Sequence, residues 1–164
     1  MSRREISSWL SGLAWFVALG CGTPPPTAGL AEIGTGTTMF EPLVAEEEFG
    51  VIAGPQGGFH FIVHARIREL APGDPLAPGD PGNPRTIFAA HDANGGQLDP
   101  AYFPYHLGYM QALDGWYELA SGHILVLDNQ YVPGIYGQRV RLTVEVIDKN
   151  GRSASDERWI RAVD

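Results

Sequence analysis

Residues 54–70 read GPQGGFHFIVHARIREL, a turn that runs straight into the longest strand signal in the chain. Phe59, Phe61, Val63, Ala65 and Ile67 recur at every second position and would fill one face of a strand. His60, Ile62, His64, Arg66 and Arg68 fall on the other face. A strand of about 11 residues exceeds the usual length of about 5 to 6. It is therefore expected at the centre of a sheet, with its odd-numbered side chains towards the core. In the turn before it, the adjacent Gly57 and Gly58 permit positive φ angles and close approach of another strand.

Working outward, MFEPLV at 39–44 reads as a short edge strand, because Pro42 cannot donate to a ladder. Residues 45–48 form an acidic corner, and 49–53 a further strand before the Gly54-Pro55 turn. Residues 71–84 read as a loop containing APGDP twice, at 71–75 and 77–81, which is expected to be low-complexity surface. TIFAA at 86–90 is a strand, followed by a turn around Asn94-Gly95-Gly96. Short strands are expected near 105–111, 115–119 and 123–127. The clearest hairpin closes the chain: Val140, Leu142, Val144 and Val146 alternate with Arg141, Thr143 and Glu145. Asp148-Lys149-Asn150-Gly151 then turns into a last strand over 153–163. Seven or eight short strands without a helical period predict an all-β fold, an antiparallel immunoglobulin-like β-sandwich.

The 164 residues allow one domain plus a targeting segment, and 21 glycines with 13 prolines favour turns and strands over helices. Net charge is −8, and Lys149 is the sole lysine, which argues against a nucleic-acid partner, whose phosphates need clustered cations. With Cys21 the single cysteine, an intrachain disulfide is excluded.

Arg3 and Arg4 precede an apolar stretch over 6–20 that is too short for a comfortable membrane span and has the form of a secretory signal. It ends in ALGC, Ala18 to Cys21, which resembles a bacterial lipobox, although Leu19 stands two before the cysteine where the usual pattern has leucine three before. The resemblance implies cleavage before Cys21 and lipid attachment to it, and several acyl chains on one residue anchor stably where one does not. Ser2-Arg3-Arg4 also resembles the start of a twin-arginine export signal and lacks the rest of it. Gly22 is not a retention residue, which favours the outer over the inner membrane. The expected division is a signal peptide over 1–20, a Pro/Gly-rich tether over 21–30 and the sandwich over 31–164. GTGTTMFEPL at 34–43, GPQGGFH at 54–60 and the closing hairpin together resemble surface lipoproteins of myxobacteria and their relatives, which pair a lipobox with one immunoglobulin-like domain. That resemblance implies an anchored domain and brings no catalytic residues.

Candidate chemistry is sparse. His60 and His64 share a face, but four residues along a strand span about 13 Å, whereas zinc ligands lie about 2.1 Å from their metal. His91, His106 and His123 would have to complete any site. Asp92 to Asp99 alternates oxygen ligands as a calcium loop does, yet Phe103 occupies the position of its terminal bidentate glutamate. The serines after the leader, Ser121, Ser153 and Ser155, have no G-x-S-x-G context. Tyr102, Tyr105, Tyr109, Trp116, Tyr117, Tyr131 and Tyr136 compose a possible ligand patch, since such rings bury area at low entropic cost.

The sequence thus favours a non-enzymatic, membrane-anchored envelope lipoprotein without a cofactor. It would bind an envelope protein or a glycan. The alternatives are an envelope metal-binding protein using His60, His64, His91, His106 and His123, and a hydrolase with an unrecognised site.

Overall fold

A computed structural model describes residues 29–100 and 103–164, so the leader, Cys21 and most of the tether lie outside the described residues, as does Tyr102. Twelve strands are present: β1 Leu30–Thr35, β2 Glu41–Pro42, β3 Glu47–Gly50, β4 Ile52–Ala53, β5 Phe59–Arg68, β6 Arg85–Asp92, β7 Tyr105–His106, β8 Tyr109–Gln111, β9 Tyr117–Leu119, β10 His123–Leu127, β11 Arg139–Ile147 and β12 Ser153–Val163. Among the described residues a 3-10 turn, Leu113–Gly115, and one short α-helix, α1 Val132–Ile135, interrupt them. The strands form two sheets, of seven and five, packed as a β-sandwich.

β5 is the central strand that its alternation predicts. Phe61, Val63, Ala65 and Ile67 are fully buried between the sheets. Its ten residues span about 33 Å, longer than any neighbour in its sheet. Each flank therefore takes two strands end to end. Residues 64–68 pair with β1 and residues 66–67 with β9, whereas residues 59–63 pair with β10 and residues 59–60 with β4. β2 extends the sheet beyond β1, and β8 beyond β9.

The second sheet runs β3-β12-β11-β6-β7. β11 carries Val140, Leu142, Val144 and Val146 inward, all buried, as its sequence alternation requires. Two departures from expectation concern residues 47–53. The expected single strand is split at Val51, whose N–H donates to Val163 O at 2.8 Å. Before that point β3 pairs with β12, and after it β4 pairs with β5, so the chain changes sheets. The β3–β12 pairing is also parallel, which makes the second sheet mixed.

Sequence reasoning missed β1, and Leu30, placed in the tether, is its first residue. Gly34 is required there by packing: a Cβ would sit 2.4 Å from Glu41 O and 2.5 Å from the Phe40 ring. The inner face of β12 is not wholly apolar. Asp156 accepts from the outward amide of Ile33 at 2.9 Å and pairs with Arg158 at 2.5 Å. A carboxylate from one sheet thus caps an unpaired strand edge of the other.

Two turns repeat one construction. In DANGG (92–96) and DKNGR (148–152), the aspartate Oδ1 accepts from the N–H two residues on, at 2.8 Å in both, and from the N–H four residues on, at 2.8 and 3.0 Å. Gly95 and Gly151 supply positive φ at the same place. The carboxylate of Asp148 accepts in addition from Ala71 N and Arg152 Nε. Burial alone would raise its pKa, but these four donors outweigh burial and hold it below the usual carboxylate value.

The APGDP repeats are also a structural repeat, contrary to the low-complexity expectation. Gly73 and Gly79 both have positive φ, and Asp74 and Asp80 each accept from the N–H two residues on, at 2.9 and 2.6 Å. The buried Asn83 amide gathers the loop by bonding Asp74 N, Asp74 O and Ala77 O.

Phe61 packs its ring 5.4 Å from that of Phe49 at the point where both sheets meet. Phe61→Ala is expected to lower the unfolding free energy by about 3–5 kcal/mol, measured by urea denaturation. A loss below about 1 kcal/mol would show that this side chain does not organise the core.

Candidate functional site

The aromatic residues read from the sequence do not form one patch. Tyr109 is a core residue, 1% exposed, with its hydroxyl 2.8 Å from Thr86 Oγ1 between the sheets. Burial pushes its phenol pKa up, partly opposed by the Thr86 hydrogen bond. This corrects its place in the patch: alternation of apolar and polar residues cannot separate a buried tyrosine from a displayed one. Tyr117 and Tyr136 pack partly buried against the core. Tyr131 is exposed and lines a hollow of about 310 Å³ with Asp92 and Arg139. Tyr105 alone stands at a separate groove described below.

Trp116 lies on the outer face of β5. The Arg66 guanidinium sits between two rings there, 4.5 Å from Phe40 and 4.4 Å from Trp116, and is ion-paired to Glu32 at 2.6 Å. The second sheet repeats the device: Arg139 lies 4.5 Å over Trp159 and pairs with Glu46. Each cation–π contact contributes about 0.5–1 kcal/mol at a partly exposed site, so these rings are already engaged.

His64 shares that outer face and is nevertheless fully buried. The chain over 36–40 folds back across it, held by Gly122 N donating to Thr37 O at 3.0 Å and Phe40 N donating to Glu118 Oε2 at 3.3 Å. The Nδ1–H of His64 donates to Ala65 O at 3.3 Å, which leaves Nε2 as a buried acceptor without a donor. Burial lowers the pKa of this imidazole, opposed by the Ala65 hydrogen bond and the Glu118 charge.

The five histidines are dispersed. His60 and His64 are on β5, His91 is on β6, His106 bonds Asn83 O from β7, and His123 points between the sheets from β10. Among the described residues no three of His, Cys, Asp and Glu come together as a metal site would need. The Asp92 carboxylate is occupied by turn amides. Ser121 and His123 line one hollow with Pro75, Pro78 and Leu107, and no carboxylate joins them there.

The feature that stands out lies where the two sheets part, beside β10. A groove of about 210 Å³ is floored by Phe88 and Leu125 and walled by Pro100, Phe103, Tyr105, Ile124 and Val126, with Asp99 at its margin. Phe103 is 60% exposed, Ile124 52% and Val126 49%. His123 closes the groove internally, its ring 5.1 Å from Phe88 and 4.3 Å from Tyr105. Its Nε2 lacks a hydrogen-bond partner, and burial lowers its pKa. Asp99 is spoken for, accepting from Ala90 N and Gln97 Nε2. Sequence reasoning missed Phe88, Ile124 and Val126. The available signal was HILVL itself, in which the outward positions 124 and 126 are as apolar as the inward ones.

Comparison with protein-family models, curated proteins and solved structures returns no match.

The two desolvated histidines set a pH dependence. Above about pH 6.5, the ordinary histidine value, both are neutral folded and unfolded, and neither contributes. Below it the unfolded chain takes up protons that the folded chain refuses, so stability falls with pH until the lowered folded-state values are reached. The loss should approach 1.4 kcal/mol per pH unit per histidine, roughly, within that window. Urea unfolding at pH 7.5 and pH 5 should show it, and His64→Gln with His123→Gln should remove most of the difference. An unchanged difference in the double variant would move the cause elsewhere.

Proposed function

We propose that the protein is a lipid-anchored lipoprotein of the cell envelope whose β-sandwich is a non-catalytic binding module. The anchor rests on the leader and on Cys21, the sole cysteine, in its ALGC context. β1 begins at Leu30, leaving a Pro-rich spacer of eight residues, 22–29, between Cys21 and the fold. Binding rests on one observation above all, the apolar groove at β10 with Phe103, Ile124 and Val126 about half exposed. Side chains of this kind, left in water beside a concave apolar site, mark interaction surfaces. The reading favours a protein partner over a glycan, because the groove offers few hydrogen-bonding groups and Asp99 is already satisfied.

β1 starts opposite Arg68, whereas β10 lies along Phe59 to Val63 at the other end of β5. A spacer entering at Leu30 therefore leaves the groove at the end away from the anchor.

Cys21→Ala should move the protein from the membrane fraction to the soluble envelope fraction, with the fold intact by circular dichroism. Persistence on the membrane would defeat the anchor. A photo-crosslinking residue in place of Phe103 should trap a discrete adduct in intact cells, and the same residue at exposed Leu76 should not. Equal trapping at both positions would defeat the binding surface.

A further inference from the structure

Strand edges that offer unpaired backbone groups are templates for another chain, and folded proteins shorten, charge or cover them. The described edges of this sandwich follow that rule, with one exception. The stretch of β12 that β3 leaves uncovered, residues 153–158, keeps to it by being charged at Asp156, Glu157 and Arg158. β2, β4 and β7 are two residues long, and β2 contains Pro42. β3 is preceded by Glu46 and begins with Glu47 and Glu48. The outward amide of β1 is capped by Asp156, that of Tyr109 in β8 donates to Pro72 O, and His106 O in β7 accepts from Gly79 N. β10 is five residues long, carries neither proline nor a charged Lys, Arg, Asp or Glu, and among the described residues pairs with β5 alone.

The direction of its backbone follows from the ladder. Thr35 Oγ1 donates to Ile62 O, so the main-chain groups of Ile62 face the β1 and β4 flank. Because these groups alternate along an antiparallel pair, Ile124 and Val126, opposite Ile62 and His60, turn their N–H and C=O away from β5. The next amide of that outward series, Asp128 N, donates to Leu98 O at 2.8 Å, which is the bond a neighbouring strand would make.

We infer that the outer edge of β10 receives an extended peptide segment of a partner as an added antiparallel or parallel strand. Alternate side chains of the segment fall to opposite sides. One set enters the groove of Phe88, Pro100, Phe103 and Tyr105. The other lies over the outer face of Ile52, Ile62, Ile124 and Val126, with the His60 imidazole between Ile52 and Val126, where Ile52 is 43% exposed. Asp99 and Asp128 flank the edge and the chain carries a net charge of −8, so the segment is apolar at alternate positions and neutral or basic elsewhere. A second copy fits less well: the outer face of β4, β5 and β10 is about 14 Å by 16 Å, far below the roughly 800 Å² per partner of a stable interface. This inference rests on the binding-module reading and names the chemistry of what is bound.

The test uses the mature chain with Cys21→Ala and a fluorescent peptide, Lys-Val-Thr-Val-Thr-Val-Lys. Anisotropy should show saturable binding. Two isomers N-methylated on alternate residues should differ, one losing at least tenfold in affinity and the other little, because only one set of amides faces β10. Val126→Pro should weaken binding by a similar factor, since its amide serves no β5 bond and proline is tolerated at such a position. In hydrogen exchange, the Ile124 and Val126 amides should be fast in the free protein and slow with peptide. Absence of saturable binding, or equal binding of both methylated isomers, overturns the inference. Slow exchange in the free monomer would show the edge covered by the chain itself, and slow exchange with concentration-dependent dimerisation would assign it to a second copy, and either result overturns it. Should the peptide fail while crosslinking at Phe103 still gives a discrete adduct, the binding module stands and strand addition falls.

Discussion

Both flanks of β5 are hydrogen-bonded along nearly its whole length, and this double ladder fixes the rest of the molecule. A buried strand cannot leave backbone groups unpaired without a cost of about 1–3 kcal/mol each, so a strand longer than its neighbours must recruit more than one on each side. β1 and β4 on one flank, and β9 and β10 on the other, meet that demand. Their ends must then be joined by connections that cross to the other sheet. The split at Val51 and the crossing between β7 and β8 are such connections.

The two flanks are finished differently. On the β1 side Asp156 reaches from the facing sheet to an outward amide, with Arg158 balancing its charge. A charged group in that interior position is tolerated because it is both paired and hydrogen-bonded. On the β10 side no carboxylate caps the outward amides of Ile124 and Val126 among the described residues, and Asp99 at the groove margin accepts instead from Ala90 N of the facing sheet. The fold therefore keeps polar satisfaction where it must close and apolar surface where it stays open. Arg66 and Arg139 are held in ring stacks on the outer faces, away from the groove.

Much of this was legible where a single local rule governs. Period-two alternation marked β5, β11 and β12, and the repeated Asp-x-Asn-Gly string marked two turns whose aspartates bond alike. What stayed hidden depends on segments far apart in the chain. His64 looks like an outer-face residue until the loop with Phe40 folds over it. Tyr109 looks displayable until Thr86 is placed opposite. β1 carries Gly34, which interrupts its strand pattern and is there because Phe40 and Glu41 press against it. The groove draws its lining from residues 88, 100, 103, 105, 124 and 126, on three separate stretches, so spacing could not assemble it. The leader and Cys21 are the reverse case, a reading that rests on sequence alone.

The placement of β1 and β10 at opposite ends of one strand has a mechanical consequence. A pull applied between the amino end of β1 and the edge of β10 runs lengthwise through β5, which acts as a tie between them. Both junctions, over residues 64–68 and 59–63, are then loaded along their length, so that several hydrogen bonds bear the force together and none is peeled open first. Such a domain would resist tension in that direction better than tension that peels β12 away from β11 one hydrogen bond at a time.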